Sequence, residues 1–469
     1  MKGYLTVFLS LSLSILTGFI LLLIGAAVRN GCKIRLECGT DTAMNAVLSE
    51  YHAGLLERYD LLYVDASYLS REPSADNIRQ RFWYYLAENT ERPMSGRQSP
   101  WGELTLQEAE ILSYDTAAAG AGSSMKSQAV RYVQESMDAN HDLVLCRELV
   151  QEAAQNISKI ERLDQENPME EWRTLMEQLA GMELPRIQNQ KGIWEEVPLS
   201  NPADWVFALG ESHILYLAEA DIDSISIAQI NLQTLLSHRQ IIGTEEARNY
   251  REDQELFLIY ILEKMGSLKN AREASLLQCQ LEYLIVGEPS DWLNTNGAAQ
   301  RLFRWRFADN LSKALADGGL YAQALSAAEQ LTAVQLKNEF QEPVAKSILY
   351  ACAFLESIGD LRIIYSGGRI PVLKEGHSMQ VERLLSGTLY HTESEDGLNY
   401  EQYLICMLFL MENRQLNLRV LDIMEMDIRS LDQNPYFSMD WCVERLRVSV
   451  AADISYGPPC YLERKYGYY

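Results

Sequence analysis

Residues 4–28 carry no charged side chain, and this run constrains the chain more than any other feature of its sequence. A helix of that length rises about 37 Å at ~1.5 Å per residue, which exceeds the ~30 Å hydrocarbon core of a bilayer. An uncharged run of this length is far more typical of a membrane span than of a buried core helix. We therefore expect one membrane helix at residues 4–28, followed by a large globular head on one side of the membrane.

A cleaved secretory signal is the alternative to a permanent anchor. Gly25, Ala26 and Ala27 form a small-residue run of the kind that a signal peptidase accepts, which would place the cut after Ala27. However, the apolar run is longer than the roughly 7–15 residues of a signal-peptide core. The sequence favours the anchor and leaves cleavage open.

One face of the expected membrane helix is small and hydroxylated. At ~100° per residue, six of its residues fall within about 120° of one another. They are Thr6, Ser10, Ser14, Thr17, Gly18 and Gly25. Such a face allows a second helix to approach closely and share hydrogen bonds. The equally weighted alternative is that the hydroxyl groups bond only to carbonyls of their own helix.

Composition limits the partners of the head. The formal net charge of −24 argues against nucleic acid, whose phosphates require a basic surface, and against a head that lies flat on anionic lipid. The eight cysteines form no CxxC pair, and Cys279, Cys352 and Cys406 lie in apolar runs typical of buried thiols. A disulfide between Cys442 and Cys460 is one alternative that the sequence leaves open.

The pattern beyond the span predicts an α+β fold. The membrane helix is expected to continue into a long helix, and a helix-rich head with a small, mostly antiparallel sheet should follow. Strict alternation predicts a half-buried strand over residues 446–456. A second strand is predicted at residues 280–287 and a hairpin at residues 361–373. Helical periodicity is expected over residues 204–239.

Proline and polar residues concentrate in one internal segment and suggest a division of the chain. Residues 1–28 form the anchor, and residues 29–160 the long helix with the first part of the head. Residues 161–202, which contain four prolines, are expected to be a polar arm or linker. Residues 203–469 then form the helix-rich remainder.

No motif in the sequence predicts catalysis, a cofactor or a metal. The six histidines are isolated, and the nucleotide-binding and nucleophile-elbow motifs are missing. Ser123 and Lys126 have the SxxK spacing of penicillin-interacting enzymes, but the companion SDN and KTG segments are missing. A loop that ends in a helix N-cap is the simpler interpretation. We therefore expect a non-enzymatic protein.

An aromatic cluster at residues 301–307 contains three arginines. In so acidic a chain, these arginines are expected to make internal ion pairs and to cover core. A contact surface for a protein partner is the alternative.

Charges around the span bear on orientation. Arg29, Lys33 and Arg35 follow the apolar run, whereas Lys2 precedes it. The positive-inside rule therefore mildly favours a cytoplasmic head.

Three segments resemble one family of membrane proteins. Residues 3–68 (GYLTVFLSLSLSILTGFILLLIGAAVRNGCKIRLECGTDTAMNAVLSEYHAGLLERYDLLYVDASY), residues 281–291 (LEYLIVGEPSD) and residues 397–429 (GLNYEQYLICMLFL, then LRVLDIMEMDIR) are similar to an uncharacterised group from anaerobic Gram-positive bacteria. Members of that group are often encoded beside Tad/Flp pilus machinery. The first segment is also similar to the pseudopilin-like leaders of TadE and TadG proteins.

The resemblance implies a processing site and a location. In such leaders a prepilin peptidase cuts after a glycine that directly precedes the apolar run, which here would be between Gly3 and Tyr4. The glutamate expected five residues into the mature leader is replaced by Phe8. The resemblance also implies a head outside the cytoplasmic membrane, contrary to the charge count, and we give the resemblance more weight.

The sequence thus predicts a single-pass, non-enzymatic surface protein that assists a Tad/Flp-type pilus or secretion system. Its expected partners are the membrane, through helix 4–28, and membrane subunits of that system. The alternatives are an anchored extracytoplasmic enzyme acting on cell-envelope material and a cytoplasmic-facing membrane adaptor.

Overall fold

A computed structural model describes most of the chain. The described residues are 2–68, 72–90, 102–183, 186–188, 190–196, 201–210, 212–219, 222–241, 253–272, 275–330, 338–386, 396–431, 435–455 and 457–468.

Helices dominate the described residues. In chain order they are α1 Lys2–Leu48, α2 Ala53–Tyr59, α3 Ala75–Thr90, α4 Ala119–Ser136, α5 His141–Ala154, α6 Ile157–Asp164, α7 Pro168–Ala180, α8 Ala203–Gly210, α9 Ile214–Ala218, α10 Gln254–Lys264, α11 Gln280–Val286, α12 Asp291–Ala316, α13 Gly318–Gln330, α14 Asn338–Tyr365, α15 Val381–Ser386, α16 Tyr400–Phe409 and α17 Asn413–Leu431. Short 3-10 turns lie at Ile222–Ser224, Leu232–Thr234, Leu236–His238 and Met439–Trp441.

The strands form one small antiparallel sheet and one short hairpin. They are β1 Val64–Asp65, β2 Leu104–Thr116, β3 Arg186–Gln188, β4 Trp194–Glu196, β5 Cys442–Ile454 and β6 Cys460–Gly467. In the sheet, β5 pairs with β2 along one edge and with β1 and β6 along the other. Within the described residues, β3 and β4 pair with each other alone. The predicted α+β class is confirmed.

The chain divides into two compact units, each made of separated segments. The first unit comprises Met1–Tyr132, Gln233–Glu252 and Asn417–Tyr469. The second comprises Val133–Leu232 and Asp253–Leu416.

In the first unit, the C-terminal half of α1 packs on the sheet. Cys32, Leu36 and Val47 are buried on the helix face that meets it. The facing residues of β5 alternate along the strand and are Leu446, Val448, Val450, Ala452 and Ile454. This is the half-buried strand that period-two alternation predicts. The long helix after the span is also confirmed, although it ends at Leu48 and α2 starts anew after the N-cap His52.

In the second unit, an aromatic core lies among the helices. Trp172 of α7 is fully buried, with its ring 6.1 Å from that of Phe307 of α12. Tyr350 and Phe354 of α14 complete the contact, at 6.2 and 5.8 Å between ring centroids. Part of the polar segment 161–202 therefore supplies a core residue to this unit.

Two predicted β segments are wrong. Residues 280–286 form helix α11, because their apolar run fits a buried helix as well as a strand and the left-handed Gly287 (φ 81°) ends it. Residues 361–365 are the last turn of α14. The amides of Gly367 and Gly368 bond back to Ile364 and Ile363, so the glycine pair closes a helix and turns no hairpin.

The long helical segment expected at residues 204–239 is also wrong. The described part of this stretch contains only α8, α9 and 3-10 turns.

The cysteine pairing considered between Cys442 and Cys460 does not form. Cys442 begins β5, whereas Cys460 lies opposite Ala452 in the ladder. Ten residues of strand separate the two positions by about 33 Å at ~3.3 Å per residue, far beyond the reach of a disulfide.

Candidate functional site

The first half of α1 is apolar and uncovered. Within the described residues, one helix, Tyr4–Leu48, is long and apolar enough to cross a membrane, and its most apolar window has a mean hydropathy of 2.6 with none of it buried. Phe8 and Leu22 illustrate this, each with 67% of its surface exposed. An exposed apolar surface of this size marks a contact with lipid or protein. Its length and composition indicate a membrane anchor.

The predicted small face lies on this exposed half. The hydroxyls of Ser10, Ser14 and Thr17 donate to carbonyl oxygens three or four residues earlier in the same helix, at 2.8–2.9 Å. Within a single chain, the self-bonded alternative is therefore the one that forms. The space beside Gly18 is open, since a Cβ there would meet nothing within 4 Å. Packing of another helix against Thr6, Ser10, Ser14, Thr17, Gly18 and Gly25 stays a prediction.

The leader cleavage position is part of the same helix. Gly3 lies within α1, and Tyr4 is 87% exposed. Cleavage between them stays a prediction.

The connection between β5 and β6 lies beside the last apolar turns of α1. A groove of about 850 Å³ lies there, lined on one side by Gly25 and Arg29 and on the other by Pro459 and Tyr461. At ~100° per residue, Gly25 points within about 20° of the buried Cys32. The face of α1 that lines the groove in its membrane half is therefore the same face that packs on the sheet in its second half.

The second unit holds a buried network of charges. Arg306 of α12 is fully buried and bonds to the carboxylates of Asp309 and Asp360, both at 3.0 Å. It also donates to the carbonyl oxygens of Pro371 and Val372, at 2.9 and 2.7 Å. One guanidinium thus ties the loop after α14 to two helices.

Two lysines complete the network. Lys374 donates to Glu356 at 2.8 Å and to Asp360 at 2.9 Å, and Lys313 pairs with Asp309. Burial alone would raise the pKa of Asp360, but Arg306 and Lys374 hold that pKa below its ordinary value. Three carboxylates and three cations balance, so the network stays charged inside the unit.

A cavity of about 600 Å³ opens beside this network. Its walls include Glu356, Asp360, Lys374, His377 and Ser378. Most of these groups already bind one another, since the Ser378 hydroxyl donates to Glu356 at 3.0 Å. His377 Nε2 lies 3.0 Å from an Asp317 carboxylate oxygen. The cavity is therefore lined by charged and polar groups that are mostly bound to one another.

Other candidates from the sequence have structural roles. The Ser123 hydroxyl donates to the Gly120 carbonyl at 2.8 Å and closes a left-handed turn at the start of α4, and Lys126 is buried. Within the described residues, no group of three or more His, Cys, Asp or Glu side chains is placed to hold a metal ion. The arginines of the 301–307 cluster do make internal ion pairs, as expected, with Arg301 and Arg304 both bound to Asp164.

Comparison with known proteins gives one family. A family model described as "Family of unknown function (DUF5702)" matches residues 192–454, which is more than half of the chain. The chain belongs to this family. No curated protein and no solved structure matches the chain.

The DUF5702 match covers the network and the cavity. Its range includes α12, α14 and the loop that carries Lys374, and it ends at Ile454, the last residue of β5. Helix α1 lies outside it. The shared family pattern therefore describes the C-terminal part of the head, and the anchor and residues 29–191 lie before it.

Sequence reasoning missed the buried network as a unit. Its members come from α12, α14 and the loop between α14 and α15, and their spacing follows no motif. The one available signal was the presence of Arg306 inside an aromatic run, which indicated an internal ion pair.

Proposed function

We propose that this DUF5702 protein is a single-pass, non-enzymatic membrane protein that assists assembly of a Tad/Flp-type pilus or secretion system. The observation that carries the anchoring part is the uncovered apolar half of α1, continuous with a helix that packs on the sheet. The pilus part is supported by the resemblance of residues 3–68 to TadE/TadG-like leaders. In this proposal the leader places the head outside the cytoplasmic membrane, where it contacts partner subunits.

Thiol labelling on intact cells tests the orientation. Cys38 is exposed and Cys146 and Cys460 are partly exposed, so these three are replaced by serine, while the other five cysteines are buried. Gln178→Cys adds one thiol on the exposed face of α7. Labelling of this variant by a membrane-impermeant maleimide before lysis is expected. Labelling only after lysis would place the head inside and remove the pilus proposal.

A paired substitution tests lateral packing of the anchor. Ser10→Leu with Ser14→Leu places two large side chains on the small face and should reduce co-purification with pilus membrane subunits. Phe8→Leu with Ser12→Leu, at the same spacing of four residues, is the matched control on the opposite face of the helix. Equal recovery of partners with both pairs would contradict the packing role of this face.

The cavity beside Lys374 favours a second candidate, an anchored enzyme acting on cell-envelope material. It brings together Glu356, Asp360, Lys374, His377 and Ser378, which include acid, base and hydroxyl groups. Incubation of the purified protein with cell-wall fragments tests this candidate by chromatography of the products. Turnover that Ser378→Ala or His377→Gln abolishes would support it, and intact fragments would count against it.

A further inference from the structure

We infer that the groove between the membrane end of α1 and the β5–β6 turn binds the headgroup of an anionic phospholipid. The inference rests on the anchoring part of the proposed function and is independent of the pilus part. Its grounds are the position of the groove along the helix, the free charges that line it and the apolar surface below them.

The groove lies at the depth of lipid headgroups. From Tyr4 to Gly25 the helix rises about 32 Å at ~1.5 Å per residue, which matches the ~30 Å hydrocarbon layer. Leu21 and Leu22, at the lower end of the groove, therefore lie against acyl chains. Arg29, one turn beyond Gly25, lies about 6 Å higher, in the headgroup layer.

Two cations in the groove have no counter-ion among the residues that the structure describes. Arg29 and Lys33 both line it and are exposed, and neither makes an ion pair with any residue that the structure describes. The neighbouring Arg464 differs, because it lies 3.7 Å from Glu37 and 3.3 Å from Asp41. The nearby carboxylates are thus engaged elsewhere, and a lipid phosphate supplies the missing negative charge.

The wall opposite the cations carries an exposed aromatic side chain of the kind found at membrane surfaces. Tyr461 is 75% exposed, and an aromatic ring with a polar hydroxyl is favoured at the membrane interface. Arg29 packs against the turn at Gly457, where an added Cβ would lie 3.1 Å from its Cδ atom. This contact holds the guanidinium in the groove.

Charge complementarity selects lipid over another protein helix as the occupant. A second membrane helix with an uncharged face would cover Leu21 and Leu22 but would leave both cations without a negative partner. The chain as a whole is strongly acidic, so the groove is a local basic site at which an anionic headgroup is held.

Lipid retention by the full chain tests the inference. The protein is placed in nanodiscs that contain phosphatidylglycerol and phosphatidylcholine with identical acyl chains, and the lipids that stay bound after release are measured by native mass spectrometry. The wild type should retain phosphatidylglycerol preferentially. Arg29→Gln with Lys33→Gln should reduce this preference by about 25-fold, since each cation near a membrane surface contributes about fivefold.

A control pair removes the same charge elsewhere. Lys159→Gln with Arg414→Gln changes two exposed cations outside the groove and should keep the preference. If the groove pair lowers the thermal stability, Lys33→Gln alone and Tyr461→Ala alone replace it, because both side chains are exposed. Each single variant should still weaken retention of phosphatidylglycerol severalfold.

Several results would overturn the inference. Equal retention of both lipids by the wild type would do so, as would an equal loss in the control pair. Release of the lipid by excess inorganic phosphate would show that the groove is a simple anion site. A dimer of the chain that covers the groove would show that a second copy, and not lipid, occupies it. Failure of the chain to enter nanodiscs would refute the anchor as well. This outcome is distinguished from a failure of the lipid inference alone, because no protein would co-elute with lipid.

Discussion

Glu282 is a buried acid whose protonation should set how the stability of the second unit depends on pH. Its side chain is fully buried in α11. One carboxyl oxygen accepts hydrogen bonds from the Leu268 amide and the Tyr400 hydroxyl, each at 2.8 Å. The other oxygen, Oε2, has no hydrogen-bond partner among the described residues. Burial raises the pKa of Glu282 to about 7, and the two hydrogen bonds oppose this only in part.

The sign of the effect follows from this shift. Between pH 4.5 and about 7, the folded chain holds a proton on Glu282 that the unfolded chain releases. Stability conferred by the neutral acid is present below pH 4.5 and is lost as the pH rises to about 7. At 1.36 kcal/mol per pH unit, the free energy of unfolding should fall by about 3 kcal/mol across this window.

Glu282→Gln should remove this pH dependence, because the amide keeps an acceptor for Leu268 and Tyr400 and never ionises. Urea unfolding of the full chain in detergent, followed by tryptophan fluorescence at pH 5 and pH 8, measures it. The wild type should lose about 2.5 kcal/mol more than the variant between these pH values. Glu382→Gln, the same change at an exposed position of α15, should behave like the wild type. Equal losses in the wild type and Glu282→Gln would refute the reasoning.

Two further predictions concern the buried network and its loop. Arg306→Gln leaves the carboxylates of Asp309 and Asp360 buried without their shared cation, and should lower the free energy of unfolding by about 3–5 kcal/mol in urea titrations. Arg79→Gln, which breaks an exposed pair with Asp76, should cost less than about 1 kcal/mol, and similar losses in both variants would contradict the burial argument. Gly397→Ala should lower the melting temperature by several degrees, because φ there is +119° and a Cβ would lie 2.2 Å from the Ile370 carbonyl carbon. Gly376→Ala, with open space around it, should leave the melting temperature nearly unchanged, and a fall as large as in Gly397→Ala would count against the steric explanation.

The sequence predicted features that depend on one periodic segment. The anchor could be predicted because an uncharged run that forms a helix longer than the bilayer thickness rarely occurs outside a membrane span. Strand β5 was visible because each of its faces meets a different environment, which leaves strict alternation in the sequence.

The secondary structure of short apolar segments was predicted wrongly from the sequence. Residues 280–286 are buried along most of their length, so their apolar side chains are not confined to one side of the helix and show no helical periodicity. Packing around Glu282 sets their conformation. The glycines after α14 suggested a hairpin because left-handed glycines end helices as readily as they turn strands.

Tertiary structure alone decided the sites. Arg306, Asp360 and Lys374 form one network because three separate segments meet, and no spacing in the chain records that meeting. The groove at Arg29 likewise exists only because the β5–β6 turn, more than 400 residues later in the chain, folds back beside α1. Sequence determined where the chain can enter a membrane, since that depends on local hydrophobicity, and only the fold determined which charges stay unpaired at its surface.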